Sequence, residues 1–169
     1  MQNKIFTDFN TPAPELAPIL LGKLLCRQLD NGETVRVRIT ETEAYFGEED
    51  TACHAHHGRT KRTETMYKPG GVAYVYLCYG IHSLLNVVSG TVDHPEAVLI
   101  RGVEGADGPG KLTKMLEITR DQNGILLCPE NKLWLEDDGV SVSYITAKRV
   151  GIDYADEQDR NRKWRFISV

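Results

Sequence analysis

Glu41, Glu43 and Tyr45 stand at alternate positions in the run Ile39-Thr-Glu-Thr-Glu-Ala-Tyr-Phe-Gly47. The preceding Val35-Arg-Val-Arg-Ile39 reads as a strand. Strand side chains point to opposite faces in turn, so the three residues share one face. A carboxylate in a partly dry setting has a raised pKa and acts as a general base toward water. With an aromatic ring beside it, such a base suits attack by water next to a flat, stackable group. Two carboxylates at i and i+2 lie about 6 to 7 Å apart along a strand. That is close to the separation of about 6.5 to 9.5 Å in an inverting glycoside hydrolase. Hydrolysis of a sugar by Glu41 and Glu43 is therefore a second reading, and a pair of surface strand glutamates is the plainest one.

Tyr74-Val-Tyr-Leu-Cys-Tyr-Gly80 supplies more rings. Tyr74 and Tyr76 share a strand face, where tyrosine is a common packing residue. Tyr79 precedes a glycine at a turn, which predicts an exposed ring at a hairpin tip, able to wedge into a stack of bases. Between His54 and Gly70 lie Arg59, Lys61, Arg62 and Lys68 against the single acid Glu64. A basic segment, an exposed aromatic and a carboxylate pocket together favour a nucleic acid over a free sugar. Stacking a base on an aromatic contributes about 1 to 3 kcal/mol, comparable with the few kcal/mol that unstacking it costs. Cys53-His-Ala-His-His57 resembles part of a metal site, yet zinc needs three or four converging ligands, and no second Cys/His cluster lies elsewhere. The expectation is no metal, with His54 as a pocket wall that hydrogen-bonds a ring substituent.

The 169 residues suffice for one domain, 1–169, with a substantial core. A hydrophobic share of 41% and a charged share of 26% are ordinary for a globular protein. No apolar run approaches the roughly 20 residues of a membrane span. The start, Met1-Gln-Asn-Lys-Ile-Phe-Thr-Asp8, lacks the basic-then-apolar pattern of a signal. These features predict an intracellular protein with free thiols at Cys26, Cys53, Cys78 and Cys128. The net charge of −4 and pI of about 5.7 count mildly against a phosphate partner. The acids crowd the later half, however, and leave the 54–70 segment basic.

The elements that must position these residues follow from pattern. Pro12, Pro14 and Glu15 open a helix with Leu16, Ile19, Leu20 and Leu24 at helical spacing. Asp30-Asn-Gly32 predicts a hairpin joining strands at 25–29 and 34–40. Residues 46–70 read as a long loop. Strands are predicted at 72–77, 83–89 and 97–103, with a short helix over 111–118. Further strands follow at 132–136, 140–146 and 164–168. The fold class is α+β: a curved, largely antiparallel sheet with a barrel-like core, peripheral helices and a protruding β-hairpin.

In sequence order, Glu41-Thr-Glu-Ala-Tyr45 with Glu49-Asp50 and His54, Met66-Tyr-Lys-Pro-Gly70 with Tyr74-Val-Tyr76 and Tyr79-Gly80, and Gly108-Pro-Gly-Lys-Leu112 resemble the motifs of the alkyladenine (3-methyladenine) DNA glycosylase family. Asn86-Val-Val88, Val98-Leu-Ile-Arg101, Arg149-Val-Gly-Ile152 and Trp164-Arg-Phe166 extend the match over nearly the whole chain. The resemblance implies a monofunctional enzyme that flips a damaged purine out of duplex DNA and hydrolyses its N-glycosidic bond. It implies Glu43 as the water-activating base, with Glu41 in support. Tyr45, His54 and Tyr76 would wall the base pocket, and Asn86 would sense the exocyclic position. Tyr79 would fill the gap left by the flipped nucleotide, with Arg101 near its phosphate and Arg59 near the backbone. Arg62, Met66, Ile81 and His82 complete the implied DNA contacts. The resemblance implies damaged double-stranded DNA as partner, a monomer, no cofactor and no strand-nicking lyase step. The chain departs from the pattern at His56, His57 and Lys61, and residues 91–96 need a small shift.

Overall fold

The computed structural model describes residues 2–169. Its strands are β1 (Lys4–Ile5), β2 (Leu24–Gln28), β3 (Thr34–Phe46), β4 (Ala73–Cys78), β5 (His82–Val88), β6 (Glu96–Val103), β7 (Ala106–Asp107), β8 (Leu133–Asp137), β9 (Tyr144–Ala147) and β10 (Arg165–Ser168). Three short helices accompany them: α1 (Ala13–Leu20), α2 (Pro109–Met115) and α3 (Glu157–Asn161). All pairings are antiparallel, as the α+β reading expects.

The main path runs β1-β8-β2-β3-β6-β5-β4, with β10 bridging β3 and β9. Among the described residues β1 and β4 end this path without pairing to each other, so the sheet is open and not closed into a barrel. The Asp30-Asn-Gly32 turn joins β2 to β3 as expected, closed by Leu29 N–H donating to Glu33 O at 2.8 Å. The expected strand at 34–40 runs on to Phe46. Its first half pairs with β2, its second half with β6 and β10. The changeover carries a bulge at Glu41, opposite Gly102. A Cβ on Gly102 would sit 3.0 Å from Thr40 Oγ1 and 3.3 Å from Glu41 Cβ, so glycine suits the tight fit.

One face of β3 belongs to the core. Ile39, Thr42 and Ala44 are buried, and Thr42 Oγ1 donates to Ala17 O of α1 at 2.8 Å. Leu16, Ala17 and Leu20 of α1 pack with Leu85, Val87, Val98 and Ile100 of the sheet. The opposite face carries the polar residues of the site.

Several expectations need correction. Leu24 belongs to β2, because α1 ends at Leu20. The second helix runs from Pro109 to Met115, two residues ahead of the predicted start, since proline suits the first helical position. Residues 140–143 are outside any strand. The 46–70 segment, read as a long loop, is partly ordered and partly buried. It holds two 3₁₀ turns, His54–His57 and Glu64–Tyr67, and buries Ala52, Cys53, Ala55, Met66 and Tyr67. No helix among the described residues is long and apolar enough to cross a membrane.

Candidate active site

A cavity of about 840 Å³ opens on the polar face of β3, large enough for a small-molecule-sized group. Glu43, Tyr45, His54, Tyr76 and Asn86 all line it, as do Arg62, Met66, Tyr79, His82 and Arg101. Ten of the twelve residues singled out from sequence therefore share one wall system; Arg59 and Ile81 do not.

The Glu43 side chain is 0% exposed, yet it forms part of that wall. Its Oε2 accepts the Val150 N–H at 2.6 Å. Its Oε1 lies 3.3 Å from an Arg101 guanidinium nitrogen and accepts the Tyr45 hydroxyl at 3.4 Å. Burial pushes the Glu43 carboxyl above its ordinary pKa, while Arg101 and the Val150 N–H pull the other way. A carboxylate kept dry but oriented by three donors is poised to take a proton from water. Glu41 does not line the cavity; Arg101 and Arg165 hold its carboxylate. The arrangement therefore lacks the two facing carboxylates of a sugar hydrolase.

The aromatic walls come from β3, β4 and the first 3₁₀ turn. His54 packs edge-on to Tyr76 with centroids 4.5 Å apart, and Tyr74 lies beside Tyr76 at 5.4 Å. His54 Nδ1 is 3.1 Å from the Tyr74 hydroxyl. Burial, helped by nearby Arg62, lowers the His54 pKa to about 4, so this imidazole is neutral at physiological pH. Asn86 is buried and donates from Nδ2 to Tyr74 O at 3.2 Å. Neighbouring strands thus fix its amide.

At the rim, β4 and β5 form the expected hairpin, paired from Ala73↔Val87 to Cys78↔His82. The tip residues Tyr79 (φ 53°) and Gly80 (φ 70°) are both left-handed, and Ile81 N–H donates to Cys78 O at 3.2 Å. Three residues, Tyr79 to Ile81, thus connect the last strand pair, with the left-handed positions at the first two. Glycine adopts that conformation freely; a tyrosine there costs on the order of 1 to 3 kcal/mol. Tyr79 is nevertheless 92% exposed, so its own packing does not repay the strain. Ile81 is exposed beside it, beyond the cavity. His82 rests against Gly110 at the start of α2, and Thr113 of α2 donates to Ser83 O at 2.6 Å, tying helix to hairpin. This places Lys111 on the rim.

Four residues stand differently from their expected roles. Met66 is buried and reaches the cavity only as wall, so it offers no surface to a duplex. The Arg59 guanidinium is matched by Glu64 at 2.8 Å and Asp93 at 3.1 Å and lies over Tyr67, which occupies the charge expected at a phosphate. Arg62 lies over Tyr76 at 5.2 Å, a pocket wall more than an arm reaching outward. Lys111 brings a lysine to the cavity where no amine was expected; it is 72% exposed and lies 3.3 Å from Asp107. Among the described residues no three or more His, Cys, Asp or Glu side chains could hold a metal ion, and all four cysteines are free. His56 Nδ1 turns instead to Glu48 O at 2.7 Å.

The sequence patterns did not assign a role to Arg149. Buried with Asp50 at 2.6 Å, it also donates to Ala44 O and Asp159 O and stacks over Tyr45 and Trp164. It locks the 149–154 segment against the end of β3 and so delivers the Val150 N–H to Glu43. Tyr154 closes the same wall by donating to Ala52 O at 2.6 Å. Arg149-Val-Gly-Ile152 enters the sequence reading only as part of the family resemblance, with no role attached to its arginine.

The chain is similar to known proteins over nearly its whole length. The chain is 47% identical, over 87% of its length and 83% of the relative's, to a protein of Psychrobacter cryohalolentis named "Putative 3-methyladenine DNA glycosylase". Relatives of the same name in Borreliella afzelii and Methanocella arvoryzae are 44% and 43% identical, each over 94% of this chain. The sequence model of methylpurine-DNA glycosylases matches residues 7–107 and 104–169. A match over nearly every residue places this chain in the methylpurine-DNA glycosylase family.

Proposed function

We propose that this protein releases alkylated purines, 3-methyladenine foremost, from double-stranded DNA by water attack directed from Glu43. The carrying observation is a carboxylate with no solvent exposure that still faces an aromatic-lined cavity. Phosphate contacts hold the duplex and make affinity salt-dependent. Tyr79 enters the stack, and the damaged nucleotide rotates into the cavity between Tyr45, Tyr76 and His54. An N-alkylated purine carries positive charge, stacks well on π faces and leaves readily. As the bond from C1′ to the purine nitrogen breaks, its electron pair leaves with the base. Water oxygen bonds to C1′ of the oxocarbenium-like sugar, and its proton passes to Glu43. The relatives' printed names support 3-methyladenine; hypoxanthine and ethenoadenine fit the same neutral His54 and Asn86 wall.

Water, not an amine, is the nucleophile in this reading. A Schiff base needs a dry, neutral amine, and Lys111 is solvated beside Asp107. The protein acts as a monomer, without a cofactor, inside the cell.

Incubation with methylated duplex DNA should yield free 3-methyladenine and abasic sites that break only on alkali treatment. Glu43→Gln should bind the same DNA and release almost no base. Equal single-turnover release by both proteins would reject the role of Glu43. Strand breaks without alkali would reject the monofunctional mechanism.

A further inference from the structure

Glu43 does not meet Arg101 alone. Arg165 Nε donates to Glu41 Oε1 at 2.5 Å, and Arg101 Nε lies 3.4 Å from that same oxygen. A second nitrogen of Arg101 reaches Glu43 Oε1 at 3.3 Å. Four side chains of alternating sign thus run inward from β10 through β3 and β6 to the cavity: Arg165, Glu41, Arg101, Glu43. Side-chain exposure is 27% at Arg165, 17% at Glu41, 20% at Arg101 and 0% at Glu43. Partly buried charges are screened less than surface ones. The arrangement is built, not accidental. The bulge at Glu41 and the bare Gly102 opposite let the Glu41 side chain sit between two arginines.

We propose that Glu41 and Arg165 are positioning residues that set how strongly Arg101 is committed to Glu43. The proposal rests on the reading of Glu43 as the base. Arg101 has one positive charge to divide between two carboxylates. Arg165 takes up part of the charge of Glu41 and so releases Arg101 toward Glu43. The remaining groups near Glu43 leave this share as the adjustable element. Arg149 is already matched by Asp50, the Val150 N–H is a backbone donor, and Tyr45, Tyr76 and Tyr154 have raised pKa values and are neutral.

The sign of each change follows from the alternation. Glu43 must be ionised to accept a proton, so the rate falls as pH drops through its raised pKa. Glu41→Gln removes a negative neighbour and gives Arg101 wholly to Glu43, which favours the ionised base. The acid limb of the rate profile should then move to lower pH. Arg165→Met leaves Glu41 unmatched and draws Arg101 toward it, so the limb should move to higher pH. Each shift should be about half to one pH unit.

The test is single-turnover release of a cationic alkylpurine, which needs no protonation to leave, followed from mildly acidic to neutral pH. The expected result is limbs displaced in opposite directions, with Glu41→Gln/Arg165→Met between them and Arg165→Lys close to wild type. Limbs that stay in place while rates fall would overturn the proposal, because a merely structural role lowers the rate at every pH alike. Displacement in the same direction would also overturn it. If Glu41→Gln fails to fold by thermal unfolding, the upward shift in Arg165→Met and its reversal in Arg165→Lys decide the matter alone. Failure of the wild-type protein to release any base would instead reject the glycosylase reading, and this proposal with it.

Discussion

At the bottom of the cavity Glu43 is dry and tied to three donors on separate segments; at the rim Tyr79 is almost wholly in solvent and held in an unfavourable backbone conformation. Both positions sacrifice stability. Glu43 does so through desolvation, Tyr79 through a left-handed φ. The supports differ. The bottom depends on contacts distant in sequence: Arg101 lies 58 residues from Glu43, Val150 lies 107 from it, and Arg149 lies 99 from Asp50. The rim is a local turn that forms with the hairpin itself. Under the proposed function, chemistry that needs an atom fixed in place rests on long-range contacts, and the wedge that would enter a bendable duplex rests on short-range ones.

The largest effect should come at the bottom. Glu43→Gln should reduce single-turnover base release by about 10²-fold or more while DNA binding persists. Because burial raises the Glu43 pKa, its ionised form is disfavoured in the folded state. Its stabilising contribution is present below the ordinary carboxylate pKa and is lost as pH rises through the raised value. Glu43→Gln should accordingly melt higher than wild type at neutral pH, with the gain shrinking in acid. A gain that grows in acid would contradict the contrast drawn here.

Next in size is the pair behind the site. Asp50→Ala strands a buried arginine and should cost about 3 to 5 kcal/mol in chemical denaturation. A loss under 1 kcal/mol would show that the bottom does not depend on its long-range supports. At the rim, Tyr79→Gly should remove the φ strain and leave stability equal or higher, while weakening lesion-specific binding about tenfold. Unchanged fluorescence of 2-aminopurine beside the lesion would count against the wedge. The smallest effect belongs to Arg59→Ala, whose charge is already matched by Glu64 and Asp93. Its salt-dependence of DNA binding should stay near wild type, whereas a drop in slope of about one would mean that the ion pairs open on the duplex.

Much of the site follows from local periodicity. Alternation along Glu41-Thr-Glu-Ala-Tyr45 puts the right side chains on one face, and Tyr79-Gly80 announces the exposed tip. The elements with a repeating pattern or a turn dipeptide are found within a few residues. What carries no local signature is missed. The Val150 donor is a backbone group, whose position depends on Arg149 reaching Asp50. Residues 46–70 mix buried Ala52, Ala55 and Met66 with exposed charges at no fixed period, because two 3₁₀ turns replace regular structure. Arg59 and Arg62 are indistinguishable as cations in sequence. Only the neighbouring Glu64, Asp93 and Tyr76 separate a matched surface charge from a pocket wall.

The stretch of β3 that holds Glu43 is paired on both sides, with β10 along Glu41–Glu43 and with β6 on the other edge. No partial opening can free it without also detaching the central sheet. The amides of Thr42 to Tyr45 should therefore exchange with deuterium only when the whole chain unfolds, while those of Tyr79 and Gly80 at the tip exchange at once. In the proposed mechanism the entrance can open at each encounter with a duplex without disturbing the carboxylate that directs the water.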